Sequence, residues 1–210
     1  MEIDNGTRVA QLADELRALA TNGLHYAVNG HDTDRYDRVL RIAAELTSLV
    51  DVRDAAEIER IYRGRIELRT PVTAADAAIF DTRGRLLLVQ RVDSGEWCMP
   101  GGAAEVGESP SAAAVREAYE ETGLQVWAQR VLGVYDNRTF GRGLGARHMY
   151  HLVFECAVTG GELRTVTEET TDARWVTHAE AVALPLFRSH AMKVPAAFGL
   201  YANGGHADFH

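Results

Sequence analysis

The chain has 210 residues, 46% of them hydrophobic, with 30 Asp and Glu against 22 Lys and Arg for a formal charge of −8; that holds one large domain or a domain with a smaller module. The acidic balance argues against non-specific nucleic-acid binding, while a nucleotide remains an admissible ligand because a bound metal reverses the local sign. No apolar run is long enough to span a bilayer, Met1-Glu2-Ile3-Asp4-Asn5 has no secretion-signal pattern, and Cys98 and Cys156 lack metal-ligand or disulfide-framework spacing, so the cytosol is the expected compartment.

Residues 7–64 read as all-helical. Val9, Leu12, Leu16 and Leu19 recur at helical spacing, and Asn22-Gly23 is the expected stop. A second helix is predicted from Asp32 or Thr33 to Val50, its stripe made of Tyr36, Val39, Leu40, Ala43, Leu46 and Leu49 or Val50. A short third helix is expected over Asp54–Arg63, with Ile58 and Ile61 facing inward. Arg65–Pro71 is the best boundary, which divides the chain into a helical module, 1–66, and a main domain, 67–210.

Beyond it the texture changes. Val72–Phe80 and Arg85–Arg91 read as strands joined by the turn Asp81-Thr82-Arg83-Gly84. A helix follows, with Ser109 as N-cap, Pro110 in its first position, Ala112–Ala114 as strong helix formers and Gly123 at its C-terminal end. Val126–Tyr135 and His148–Val158 are the next strands, separated by a glycine-rich flexible loop, 141–145. Gly160-Gly161 turns the chain, Arg174-Trp175-Val176 is a short strand, His178–Ala183 begins a helical segment, and Met192–Tyr201 forms a last helix. Strands, helix, strands and helix in this order predict a mixed α/β domain.

The helix after Ser109 carries the chemistry. At about 100° per residue, Val115, Ala118 and Tyr119 make one apolar stripe, and Glu117, Glu120 and Glu121 fall on the opposite side at i, i+3 and i+4. Like charges at that spacing weaken a helix unless a cation compensates them. Two unit charges 4 Å apart repel by about 4 kcal/mol at an effective dielectric of 20. Mg²⁺, which prefers oxygen ligands and joins carboxylates to substrate phosphates, supplies that cation; Mn²⁺ serves equally.

The wider pattern is Gly102, five residues, Glu108, seven residues, then Arg116-Glu117-x-x-Glu120-Glu121-x-Gly123 and an apolar residue. It resembles the signature of the Nudix hydrolase family, and seven fixed positions match by chance on the order of 10⁻⁹–10⁻⁸ per register. Trp97-Cys98-Met99-Pro100-Gly101-Gly102 is similar to the family's strand-to-loop entry, with Met99 where Leu is common. The resemblance implies a mixed sheet sandwiched between helices and hydrolysis of a pyrophosphate. It also implies Glu117 and Glu121 as the leading metal ligands, Glu120 sharing the site, and the Gly101 carbonyl as a backbone ligand. Arg116 would orient a glutamate, and Glu108 would brace the loop. The segment Glu168-Glu169-Thr170-Thr171-Asp172-Ala173-Arg174-Trp175 resembles the loop in which relatives place a catalytic Glu. Glu169, six residues before Trp175, is favoured over Glu168 as general base; a solvated acidic loop is the plain alternative.

Arg91 and Arg138 are candidate phosphate contacts, His148 a candidate substrate contact, and Trp97, Tyr135, Phe140 and Tyr150 candidate stacking rings, with core packing an equal reading for each ring. Ala18–Tyr26 followed by Asp34-Arg35-Tyr36 is similar to the helical extension of a Nudix subgroup that includes CDP-choline and ADP-ribose pyrophosphatase-like enzymes, whose members often dimerise. In the CDP-choline branch the segment matching Asp136–His148 is rich in Lys, His and Pro; here it is rich in Gly and Arg. The resemblance thus implies cleavage of a nucleoside diphosphate linked to another moiety. Sanitation of damaged nucleoside triphosphates and a silent metabolite sensor are the competing readings.

Overall fold

The computed structural model describes residues 4–140 and 148–209. The expected 141–145 loop therefore lies outside the described residues, and so does the side chain of Phe140. The chain divides into two compact units, one essentially the segment up to Pro71 and the other Val72–Phe140 with Met149–His210.

The first unit holds three helices: α1 (Asn5–Tyr26), α2 (Gly30–Ser48) and α3 (Ala55–Arg63). Each starts at a side-chain cap, from Asp4, Asn29 and Asp54, which satisfies an amide of the first turn. The Asn29 cap starts α2 earlier than the expected Asp32. Asn22-Gly23 does not stop α1, which runs one turn further. A side chain at Gly23 would overlap the Tyr36 ring, so glycine is used here for close approach of α2. Asn22 Nδ2 donates to the Arg69 carbonyl at 3.2 Å, and the Arg69 amide donates to Asn22 Oδ1 at 2.7 Å. The core collects Ala20, Leu40, Ala43, Ala44, Ile58 and Tyr62. Leu12 and Leu19, and both Leu49 and Val50 as the alternatives for the end of the second stripe, are exposed instead. The helices meet through alanines, whose small side chains bring the axes close and leave the longer ones outside.

The second unit is built on two sheets. One has the order β4-β1-β6-β5-β8 and the other β3-β2-β7. The strands are β1 (Val72–Ile79), β2 (Leu86–Arg91), β3 (Trp97–Cys98), β4 (Gly101–Ala103), β5 (Leu124–Asp136), β6 (Met149–Gly161), β7 (Thr170–Val176) and β8 (Asp208–Phe209). The helices are α4 (Pro110–Thr122), α5 (His178–Ala183) and α6 (His190–Asn203). β1 and β6 run parallel while β1–β4, β5–β6, β2–β3 and β2–β7 are antiparallel, so the sheet is mixed as expected. β8 is a two-residue strand that the sequence did not announce.

Alternation along β1 sorts its side chains onto two faces. Ala75, Ala77 and Ile79 join Ala113, Ala114 and Ala118 of α4, with Leu87, Val89, Phe154 and Cys156, in one core cluster. Asp76 points to the other face, where it meets α6 through Lys193.

Candidate active site

α4 is capped as its sequence requires: Ser109 accepts from the Ala112 amide, and Gly123 closes the helix in the left-handed conformation at φ 73°. Its buried stripe differs from the predicted one. Ala113, Ala114 and Ala118 are fully buried, whereas Tyr119 is 51% exposed. The alanines let the helix lie close to the sheet, and that rotation draws Glu117 and Glu121 inward. They are 9% and 6% exposed. Glu120 stays outside, its side chain 56% exposed. The three acids therefore do not share one environment, a correction to the single acidic face read from the sequence.

β4 fixes the two buried acids. The Gly101 amide donates to Glu121 Oε2 at 3.0 Å. A side chain on Gly102 would overlap the Glu117 carboxylate. The Gly-Gly pair thus acts as a backbone wall that only residues without Cβ can form. Arg116 binds the rest of the constellation. Its Nε and Nη2 donate to Glu108 at 3.0 Å each, and Nη1 donates to Glu117 Oε1 and Glu120 Oε2 at 2.9 Å. Nη2 also reaches the Ala103 carbonyl at 3.2 Å. One guanidinium fork ties the loop acid to the helix acids and to β4.

The electrostatics follow from burial. Burial pushes the Glu121 carboxyl up to about 8; the Gly101 amide opposes this, and the charges of Glu117 and Glu169 add to it. Glu117 is raised by burial as well, against the pull of Arg116. Both acids feel Glu169, which sits in the turn before β7, its carbonyl accepting from the Val92 amide at 3.0 Å. Arg91 opposes the rise at Glu121, which places its cation nearby; it also pairs with Asp93 at 2.6 Å and lies over the Phe187 ring.

Other predicted contacts are placed differently. Trp97 and Tyr135 are 3% and 1% exposed. The Tyr135 hydroxyl donates to Asp208 at 3.2 Å, and Arg174 stacks over Trp97. Both rings pack in the interior, so the packing alternative holds for them. Tyr150 is 40% exposed on β6. Arg138 forks onto Asp136 at 2.6 Å, and His148 precedes β6, its charge felt by Asp14.

Among the described residues, no three His, Cys, Asp or Glu side chains converge into a ready metal cage. The donor set nevertheless suits a hard divalent cation. Glu117 and Glu121 are buried carboxylates that repel each other, and their bonds to Arg116 and Gly101 each use one oxygen. The remaining oxygens have no hydrogen-bond partner among the described residues.

A buried polar cluster on the other face of β1 escaped the sequence reading. Asp76, His190 and Lys193 are 4%, 4% and 0% exposed. The signal was present as a lone acid in the apolar run Ala74-Ala75-Asp76-Ala77-Ala78, with a lone lysine in the apolar α6.

Residues 70–197 match the NUDIX domain. The chain belongs to the Nudix family. Residues 7–62 match a second family, the UDP-X-like N-terminal oligomerisation domain. This Nudix hydrolase is 28% identical over 162 residues to a Bacillus subtilis (strain 168) protein provisionally named ADP-ribose pyrophosphatase, a match that covers 77% of each chain. A MutT-like protein of Streptomyces ambofaciens is 43% identical over 97 residues, covering 46% of this chain and 58% of that one. Among solved structures, a UDP-X diphosphatase superposes over 98% of this chain and 99% of its own, with a TM-score of 0.60 at 21% identity. An ADP-ribose pyrophosphatase from Streptococcus suis 89-1591 superposes over 67% of this chain and 100% of its own, with a TM-score of 0.55 at 27% identity. No helix among the described residues is long and apolar enough to cross a membrane.

Proposed function

We propose that this Nudix hydrolase cleaves the pyrophosphate of a nucleoside diphosphate linked to a second moiety, giving a nucleoside monophosphate and the phosphorylated moiety, with Mg²⁺ or Mn²⁺ at Glu117 and Glu121. The observation that carries this reading is the pair of buried carboxylates against Gly101 and Gly102, one of them with its carboxyl pushed up to about 8. Such a pair is short of positive charge, and a cation bound to a diphosphate brings what it lacks. The Gly101 carbonyl is a further donor candidate, with Glu120 at the rim.

When bound, the metal supplies charge neutralisation at the phosphates and acidifies coordinated water. The chain's own groups do the rest. Arg116 keeps Glu117 turned toward β4. Arg91 offers a cation beside Glu121 for a phosphate oxygen, the most favoured of the four proposed substrate contacts Arg91, Arg138, His148 and Tyr150. Glu169 accepts the proton of the attacking water as the water oxygen bonds to phosphorus and the bridging oxygen leaves with the bond pair.

ADP-ribose is the first substrate to test, because relatives named for it include one aligned over 77% of the chain. A uridine diphosphate sugar comes next, from the match to the UDP-X-like domain, and CDP-choline third. The test is a panel of these compounds with Mg²⁺ or Mn²⁺ and identification of products. Two monophosphates support the proposal. Release of inorganic pyrophosphate from nucleoside triphosphates would favour the sanitation reading, to which the MutT-like relative lends weight. Tight binding without phosphate release would favour a sensor.

The helical unit has a face suited to a second copy. Leu12, Leu19 and Tyr26 on α1, and Ile42 on α2 with Leu49 at its C-cap, are exposed at seven-residue intervals. Helical phase puts both rows on the side of the hairpin opposite α3. We assign a homodimer to this face, in keeping with the oligomerisation domain matched by residues 7–62.

A further inference from the structure

Gly101 lies between two buried carboxylates. On the α4 side its amide donates to Glu121 Oε2 at 3.0 Å. On the α6 side it pairs with Asp76 in the β1–β4 ladder. A Cβ on Gly101 would lie 2.7 Å from Asp76 Oδ1, 2.7 Å from the Asp76 Cα and 2.5 Å from the Ala75 carbonyl oxygen. The β1 backbone at Ala75 and Asp76, together with the Asp76 carboxylate, thus fills the space that any other residue at 101 would need. The Ala77 amide donates to the Pro100 carbonyl at 2.8 Å and secures the same turn.

Lys193 holds that carboxylate. Its Nζ donates to Asp76 Oδ2 at 2.6 Å and approaches His151 Nδ1 at 3.4 Å. His190 Nε2 faces Asp76 Oδ1 across 3.6 Å, too far for a hydrogen bond, while its Nδ1 meets Ser189 Oγ at 3.2 Å. A fully buried ion pair is poor evidence of stabilisation, because desolvating two charges offsets their attraction and apolar replacements are often as stable. What such a pair does supply is a fixed direction for each partner.

We propose that Lys193 and Asp76 are a positioning pair for the active site: the ammonium fixes the carboxylate over Gly101, and Gly101 in turn fixes Glu121. The proposal rests on the reading of Glu121 as a metal ligand. Neither residue touches substrate. Their contribution is to keep the β4 backbone from drifting away from α4, where a displacement of about 1 Å is enough to cost about a hundredfold in rate.

Replacing Lys193 alone strands a buried carboxylate, so the test uses paired variants that remove both charges: Asp76→Asn with Lys193→Met, and Asp76→Ser with Lys193→Leu. Mn²⁺ alone is titrated into each full-length protein and free ion is followed by electron paramagnetic resonance; turnover of ADP-ribose is measured separately. The expected result is a folded variant that melts within a few degrees of the parent, binds Mn²⁺ about tenfold more weakly, and loses about tenfold or more in kcat at nearly constant KM. Parental Mn²⁺ affinity and kcat in a folded paired variant would overturn the proposal. So would failure of both paired variants to fold, which would assign the pair to stability. A parental protein that takes up no Mn²⁺ would instead overturn the metal reading on which the pair depends.

Discussion

Glu117 occupies the space that a side chain on Gly102 would need, so the carboxylate and the glycine are matched in shape. Gly102→Ala forces the carboxylate, already held by Arg116 at 2.9 Å, to swing away. We predict a loss of about 10²-fold in kcat with little change in melting temperature, because the displaced group lies at the edge of the core. Parental turnover in this variant would show that the position of Glu117 is unimportant.

Glu121 sets a pH dependence of stability. Its folded carboxyl titrates near 8, against 4.5 for the ordinary group. Between those values the metal-free folded state holds a proton that the unfolded chain has released, so stability falls as pH rises through that window. The slope is at most about 1.4 kcal/mol per pH unit, the value for one proton. Urea midpoints in EDTA from pH 5 to 8 should decline, Glu121→Gln should flatten the decline, and Mg²⁺ should reverse it in the parent. A parent whose midpoint rises over this range would contradict the assignment.

Arg116 works through its fork, which reaches both oxygens of Glu108, Glu117, Glu120 and a backbone carbonyl. Lysine keeps the charge and loses the fork. Arg116→Lys is therefore expected to lower kcat by about tenfold or more, close to Arg116→Ala. Full rescue by lysine would reduce the role of Arg116 to charge alone. By the same geometry Glu120→Gln, at an exposed position, should cost less than Glu117→Gln or Glu121→Gln.

Two adjacent glutamates precede β7, and the charge of Glu169 acts on both Glu117 and Glu121. Glu169→Gln should reduce kcat by about 10²–10⁴-fold, the range for a general base, with Glu168→Gln near parental. Equal effects, or the reverse order, would relocate the base.

The exposed rows on α1 and α2 predict an association change. Leu19→Glu combined with Ile42→Glu should convert a dimer to a monomer in light scattering, while the helical circular dichroism is retained. A dimer that survives both charges would place the interface elsewhere.

Much of this protein was fixed by local pattern. The Ser109 cap, the turn Asp81-Thr82-Arg83-Gly84 between the first two strands, and the Gly102–Gly123 signature each depend on neighbours within a few residues, so helices, strands and the acidic helix were legible without a fold. Tertiary packing decided the rest. Periodicity put Glu117, Glu120 and Glu121 on one face; only the close approach of the alanines to the sheet buried two of them and left the third in solvent. The same logic kept α1 going through Gly23, turned Tyr135 inward, and joined Asp76 to Lys193, 117 positions away. Helical phase and capping are properties of a segment, whereas desolvation and ion pairing depend on what another segment brings to the same place.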